Sequence, residues 1–308
     1  MKLFLRLLGP AIFIFIIYYY VDFREFKGIV SILRWPYFVI SLALVPPLIY
    51  LRSRRWQEIL EKFGITYSAW KCFSVYFIEM VAVMLVATVG TFAKVFYLKR
   101  DGYGLKRPLL TIMVDKYFDY LLPLIFGCAS IFLAGLQIGS GFGLLIFTAV
   151  TCFGFLPARK AIFLLSPRVL PKNLNAFFIE KGLNIQDHLT QIYNVLNFKT
   201  YLYSVAAFGI YFLSIYYLNK CLQIELGFFQ VILIMTITSL VAMIPVSFLG
   251  IGTRDAALLA VFKWFEHTPE QAIALSMALL LLRIAIVLMG SMFWLANPPP
   301  INELKKFK

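Results

Sequence analysis

The sequence predicts an all-α polytopic membrane protein, with about six full transmembrane helices and two opposed re-entrant helical hairpins. Three observations carry that reading. First, 61% of the 308 residues are hydrophobic and only 14% are charged, where a soluble domain is about half apolar and a quarter charged. Second, the basic residues cluster at the ends of apolar segments, where they suit anionic headgroups and the positive-inside bias. Third, the run Pro245–Asp255 (PVSFLGIGTRD) breaks an apolar stretch with a proline, two glycines and an Arg-Asp pair.

Taken in order, Leu3–Val21 follows Lys2, carries Arg6 and shows no small-residue cleavage site, so it reads as a first span, not a removed signal peptide. Pro36–Leu51, Leu109–Gly135, Gly141–Leu156, Thr200–Leu218 and Gln271–Ala296 read as further spans. Two apolar stretches, Lys71–Leu98 and Phe228–Phe265, are less simple. The flanking segments with Arg52, Arg54, Arg55 and Lys62, and with Lys99, Arg100, Lys106 and Arg107, both carry the charge of cytoplasmic connections. A plain crossing of 71–98 would put one of them outside. The conflict vanishes if 71–98 enters and returns, bent near Thr88–Thr91.

Residues 228–265 then form the second hairpin, entering from the outer side, and both termini are cytoplasmic in an inner (plasma) membrane. Eight plain spans are the rival topology. The whole chain, 1–308, reads as one integral membrane domain. Residues 157–199 form a cytoplasmic connection, either with one or two interfacial helices or as an ordinary loop.

Composition and motifs also exclude functions. The net charge of +14 sits at span ends, so nucleic acid is not the expected partner. Cys72, Cys128, Cys152 and Cys221 are scattered without ligand spacing, and His188 and His267 stand alone, so neither a metal nor a cofactor is expected. No nucleophile–base set and no phosphate-cradling loop is present, which favours transport over catalysis.

The candidate site residues are charges in apolar surroundings. Non-helical backbone at membrane depth persists only where protein or a wet cavity surrounds it, so Pro245, Ser247, Gly250 and Gly252 mark a hairpin break. Thr253 is a candidate N-cap for a helix beginning near Arg254. That helix start and the Arg254 guanidinium suit a phosphate, whereas an Arg254–Asp255 pair could equally pin the hairpin. Asp115 and Asp119 share one helix face, with Lys116 about a quarter-turn away. Their expected partners are Lys94, just past the bend at Gly90, and Arg283, embedded in the last span. This set is either a ligand site or a salt-bridge network fixing helix packing. Glu79, on an apolar background, is expected to be protonated if unpaired.

The order Arg55-Trp56, Gly90…Lys94 with Tyr97-Leu98, Asp115-Lys116…Asp119, Pro245…Ser247…Gly250-Ile251-Gly252…Arg254-Asp255, then Arg283, resembles the lysylphosphatidylglycerol synthase transmembrane-region family. That family supplies the flippase domain of the bacterial multiple peptide resistance factor and many stand-alone membrane proteins. The resemblance runs from about residue 45 to 296. Departures are Gly90-Thr91 where the family often has Gly-Glu, and Asp115-Lys116 where Glu-Arg is usual. Leu249-Gly250-Ile251-Gly252 likewise stands where the family has Gly-Gly-x-Gly.

The resemblance implies a lipid translocase moving a phospholipid or polyprenyl-linked lipid between leaflets, with no aminoacyl-transferase domain of its own. Headgroup contacts would fall to Arg254, Lys94 and Arg283, with Asp115, Lys116, Asp119 and Asp255 as supporting charges. The partners are then membrane lipids, a second copy of the chain or an envelope-synthesis protein. The alternatives are a membrane-embedded lipid-modifying enzyme, with Asp115, Asp119 and Asp255 as acid–base groups, and an accessory subunit of an envelope assembly.

Overall fold

In the computed structural model, residues 33–133, 197–242 and 253–298 are described, together with Ser31 and Val195. All their regular structure is helical. In chain order the helices are α1 (Trp35–Ala43), α2 (Val45–Lys62), α3 (Ala69–Val86), α4 (Ala93–Arg100) and α5 (Lys106–Leu133). After the next described residues come α6 (Phe198–Cys221), α7 (Phe228–Ala242), α8 (Thr253–Trp264) and α9 (Pro269–Ala296). A 3₁₀ segment, Ala87–Phe92, joins α3 to α4. The proposed spans at Leu3–Val21 and Gly141–Leu156, the 157–194 part of the cytoplasmic connection and the break residues Pro245, Ser247, Gly250 and Gly252 lie outside the described residues.

Among the described residues three stretches are long and apolar enough to cross a bilayer: Trp35–Lys62, Phe198–Cys221 and Pro269–Ala296. In the first, the helix continues past the expected span end at Leu51 and takes in Arg52 to Lys62, which the sequence reading placed in a connection. Pro46 and Pro47 each remove a backbone donor. The ladder nevertheless closes across the α1–α2 junction, with Leu44 N–H donating to Ile40 and Leu48 N–H to Leu44. The helix therefore carries Arg52 and Arg55 into the protein. α5, 28 residues long, is interrupted only by Asp115, Lys116 and Asp119 and by Pro123.

Glycine ends two of these helices for a stated reason. Gly64 (φ +72°) and Gly102 (φ +92°) sit in the left-handed region just past α2 and α4. In each case the next amide reaches back five residues, Ile65 to Leu60 and Tyr103 to Leu98, and satisfies an orphan carbonyl. α6 starts on Asn197, whose side chain accepts from the Thr200 amide, and α9 starts on a reciprocal Thr268–Gln271 capping box.

The core runs through all the described helices, and two crossings are tight. At Gly290 an added Cβ would lie 2.7 Å from a Val81 methyl and 3.0 Å from the Phe77 carbonyl, so α9 sits directly on α3. Thr236 of α7 donates to the Pro123 carbonyl at 3.0 Å, and its side chain occupies the space a Cβ on Gly127 would need. Past α3 the chain folds back: a Cβ on Gly90 would lie 2.2 Å from backbone carbon of Ala82, an approach only glycine permits. This turn brings α4 alongside α3.

Candidate functional site: a sealed charge network beside an open arginine cleft

Four helices aim charged side chains at one point. α2 contributes Arg55, α3 contributes Tyr76 and Glu79, α4 contributes Lys94, and α5 contributes Asp115, Lys116 and Asp119. Asp115 is the centre and is fully buried. One of its oxygens accepts from Arg55 Nε at 2.9 Å and meets Arg55 Nη2 at 2.6 Å. The other accepts from the Tyr76 hydroxyl at 2.6 Å and from Lys94 Nζ at 2.8 Å. Arg55 reaches on to Asp119 at 2.7 Å, which Lys116 also meets at 3.2 Å.

The spacing of Asp115 and Asp119 thus does what a four-residue helical repeat allows, presenting two carboxylates to one guanidinium. Glu79 closes the ring, 2.6 Å from Lys94 and 3.5 Å from Lys116. Three cations and three carboxylates face one another, so the formal charges cancel inside an apolar wall. Aromatic faces complete that wall: Lys94 Nζ lies 3.4 Å from the Tyr76 ring centre and 5.0 Å from that of Trp56.

Lys94 is therefore a partner of Asp115, as the sequence suggests. The main cation on both aspartates is Arg55, which a count of loop charges assigned to a connection. Glu79, expected to be protonated only if unpaired, has two lysine partners.

A second group of charges lies on α8 and α9, facing α6. Arg254 is buried, and its guanidinium donates to Asp255 at 3.1 Å and to the Ser276 hydroxyl at 2.8 Å. Ser276 in turn donates to Asp255 at 2.5 Å. Arg254 and Asp255 thus do pair, at the start of α8, tied to α9 by one serine.

On α9 the residues Ser276, Leu279, Arg283, Val287, Gly290 and Trp294 follow one another at three- and four-residue steps, so they form one stripe. Ser276, Leu279, Val287, Gly290 and Trp294 are buried, whereas Arg283 in the middle is exposed. Leu288, Met292 and Leu295, on the other side of the helix, are the outward-facing apolar residues. An arginine facing hydrocarbon at the centre of a span is expensive, so its place on the protein-facing stripe fits a polar setting.

Tyr211 of α6 lies within electrostatic reach of Arg52, Arg254 and Arg283. Arg52 comes from α2, one turn before Arg55; its guanidinium lies 5.2 Å from the Phe208 ring, which stacks edge-on with Tyr211. Its Nε is buried with no hydrogen-bond partner. Arg52 also acts on Asp119, so it joins the two groups. Arg52, Tyr211 and Ser276 were not found from sequence. Ser276 had a signal, two turns before Arg283 on the same face; Arg52 was masked by its place near the end of an apolar run.

Helices of this length and apolarity, closed around a buried ion network, define a multi-pass α-helical membrane protein. The family follows: the chain belongs to the lysylphosphatidylglycerol synthase TM region family, whose family model matches residues 4–291. That ties it to membrane domains linked to lipid modification and translocation. No curated protein and no solved structure matches the chain.

Proposed function

We infer that this protein translocates a lipid between leaflets, passing the headgroup through the cleft between α6, α8 and α9. The single observation that carries this reading is Arg283, an exposed cation at the centre of a buried stripe in a 28-residue apolar helix. Such a charge is expensive unless water or a ligand headgroup meets it. Arg254, Arg283 and the α8 start contact the phosphate, and Asp255 with Ser276 holds Arg254 in place. Lys94 takes a different part from the one the family resemblance implies. Its ammonium is sealed between Glu79 and Asp115, so it fixes α4 and does not reach the lipid.

The two hairpins fit this reading. α7 and α8 pack on each other, and the fold-back at Gly90 brings α4 alongside α3, as two hairpins would require. Movement is passive or coupled to an ion or proton gradient across the plasma membrane.

The enzyme reading fares less well, because Asp115 is fully buried and saturated by cations, out of reach of a reacting proton. Purified protein in liposomes decides between them. Labelled lipid should change leaflet without chemical change, and Arg254→Ala protein that folds should move it at least about tenfold more slowly. A modified lipid product supports the enzyme. Neither movement nor product supports the accessory subunit.

A further inference from the structure

The buried charges form a closed ring in which signs alternate. Asp119 meets Arg55 at 2.7 Å, Arg55 meets Asp115 at 2.6 Å, and Asp115 meets Lys94 at 2.8 Å. Lys94 meets Glu79 at 2.6 Å, Glu79 meets Lys116 at 3.5 Å, and Lys116 returns to Asp119 at 3.2 Å. The three acids are not held alike. Asp115 accepts hydrogen bonds from Arg55, Tyr76 and Lys94, and Asp119 accepts them from Arg55 and Lys116. Neither oxygen of Glu79 accepts a hydrogen bond, although both are buried, so two ammonium charges alone hold it. A buried carboxylate without directed donors is the acid whose charge costs the ring most to keep. Both oxygens are enclosed by protein, which leaves no room for a metal ion or a phosphate, whereas a proton needs none.

The ring also has a wet edge. The Glu79, Lys94 and Asp115 side chains are 1% exposed, whereas Lys116 is 29% and Asp119 16% exposed. Lys116 touches both Asp119 and Glu79, so it bridges solvent to the enclosed acid. Asp119 takes a proton from water. The Lys116 ammonium then gives one proton to Glu79 and accepts the one on Asp119. Lys116 and Asp119 end as they began, and Glu79 is a neutral acid.

Glu79 faces Lys94 from α4 and Lys116 from α5, while Tyr76 on its own helix is turned to Asp115 and Arg55 of α2 lies beyond that aspartate. α9 packs on α3 at Phe77 and Val81. With Glu79 neutral, Lys94 keeps Asp115 and Lys116 keeps Asp119, so each cation still has an acid. The ring then carries one net positive charge inside an apolar wall, a costly state that a nearby negative charge relieves. The phosphate of a lipid headgroup supplies that charge, and each ligand then strengthens binding of the other.

We propose that Glu79 is a proton-binding site, loaded through Asp119 and Lys116, and that a proton bound there accompanies each lipid phosphate through the membrane. The second half rests on the translocation reading; the first stands without it.

Infrared difference spectroscopy on the full chain tests the site. Stepping wild type from alkaline to acid pH should raise one carboxyl band of a protonated acid without a hydrogen-bond partner. Glu79→Gln should lose this band and Glu79→Asp should shift it. After a pH jump, Asp119→Asn should delay its rise at least about tenfold. No such band in folded wild type, a band that persists in Glu79→Gln, or a rise unchanged in Asp119→Asn overturns the inference. In proteoliposomes, a proton gradient of about one pH unit should concentrate labelled phosphatidylglycerol about tenfold in the leaflet facing the alkaline side. Glu79→Gln protein should leave it evenly spread. Lipid that wild type moves but spreads evenly under the gradient also overturns the inference. If the band behaves as expected but no lipid changes leaflet, the translocation reading fails while the proton site stands.

Discussion

Two groups of charges lie side by side in this membrane domain, and one helix, α2, serves both. Arg55 enters a ring in which each cation has a carboxylate within 3.5 Å and the centre is closed to solvent. Arg52, one turn earlier, turns toward Phe208 of α6, on the side where Arg283 stands exposed on α9. A charge-balanced network with a buried centre holds four helices in register. An exposed cation on a protein-facing stripe can meet a ligand headgroup, which is what a binding site needs. Burial alone would have ranked the first group above the second as a candidate site. Charge balance reverses that ranking.

The comparison can be broken most forcefully at Asp115. Asp115→Ala leaves Arg55, Lys94 and the Tyr76 hydroxyl without their shared acceptor, and removing one partner of a buried ion pair costs about 3–5 kcal/mol. Folded yield and the melting temperature in detergent should both fall, before any effect on lipid can be read. An Asp115→Ala protein that melts like wild type would mean the network does not hold the fold.

A smaller loss is expected at the turn that delivers Lys94. A Cβ on Gly90 collides with Ala82 backbone, so Gly90→Ala should cost about 1–3 kcal/mol, again seen by thermal unfolding.

The cleft should respond the other way. Arg283 is exposed and outside the sealed ring, so Arg283→Ala should leave the melting temperature close to wild type, while lipid movement drops at least about tenfold. A variant that loses stability and activity together would place Arg283 with the structural network.

The smallest effect lies outside the spans, at Asp101. Partial burial pushes its carboxyl upward, but hydrogen bonds from Lys71 and Tyr67 outweigh that and hold it below its ordinary value of 3.8. A depressed acid stabilises the folded form above its unfolded value, and that contribution is lost as pH falls through the folded one. The melting gap between wild type and Asp101→Asn should therefore be present at pH 7 and narrow below about pH 4. Half-exposed pairs contribute under about 1 kcal/mol, so the gap will be small. A gap that widens on acidification would contradict the assignment.

Much of this organisation was legible in the sequence. The apolar runs gave α6, α9 and most of α5, and the four-residue spacing of Asp115 and Asp119 gave a shared face. Gly90 and Arg283 stood out because a helix breaker or a charge in an apolar run demands an explanation.

What could not be read was pairing across the chain. Arg55 and Asp115 are 60 residues apart, and nothing local says that they meet. The positive-inside count treated Arg52 and Arg55 as loop charges, because it registers proximity to a span end and not which way a helix continues. Nor could composition distinguish a sealed charge from an open one, since that depends on which face of α9 meets α3.

Thiol accessibility at position 283 tests the central claim most directly. In a background where Cys72, Cys128, Cys152 and Cys221 are replaced by alanine, Arg283→Cys and Leu288→Cys proteins in liposomes are treated with a water-soluble maleimide. Leu288 is 58% exposed on the bare protein but faces lipid, so exposure alone does not predict labelling. An open polar cleft predicts rapid labelling at 283, slowed by an anionic lipid, and none at 288. A thiol at 283 that stays unlabelled while the protein is folded would contradict the cleft.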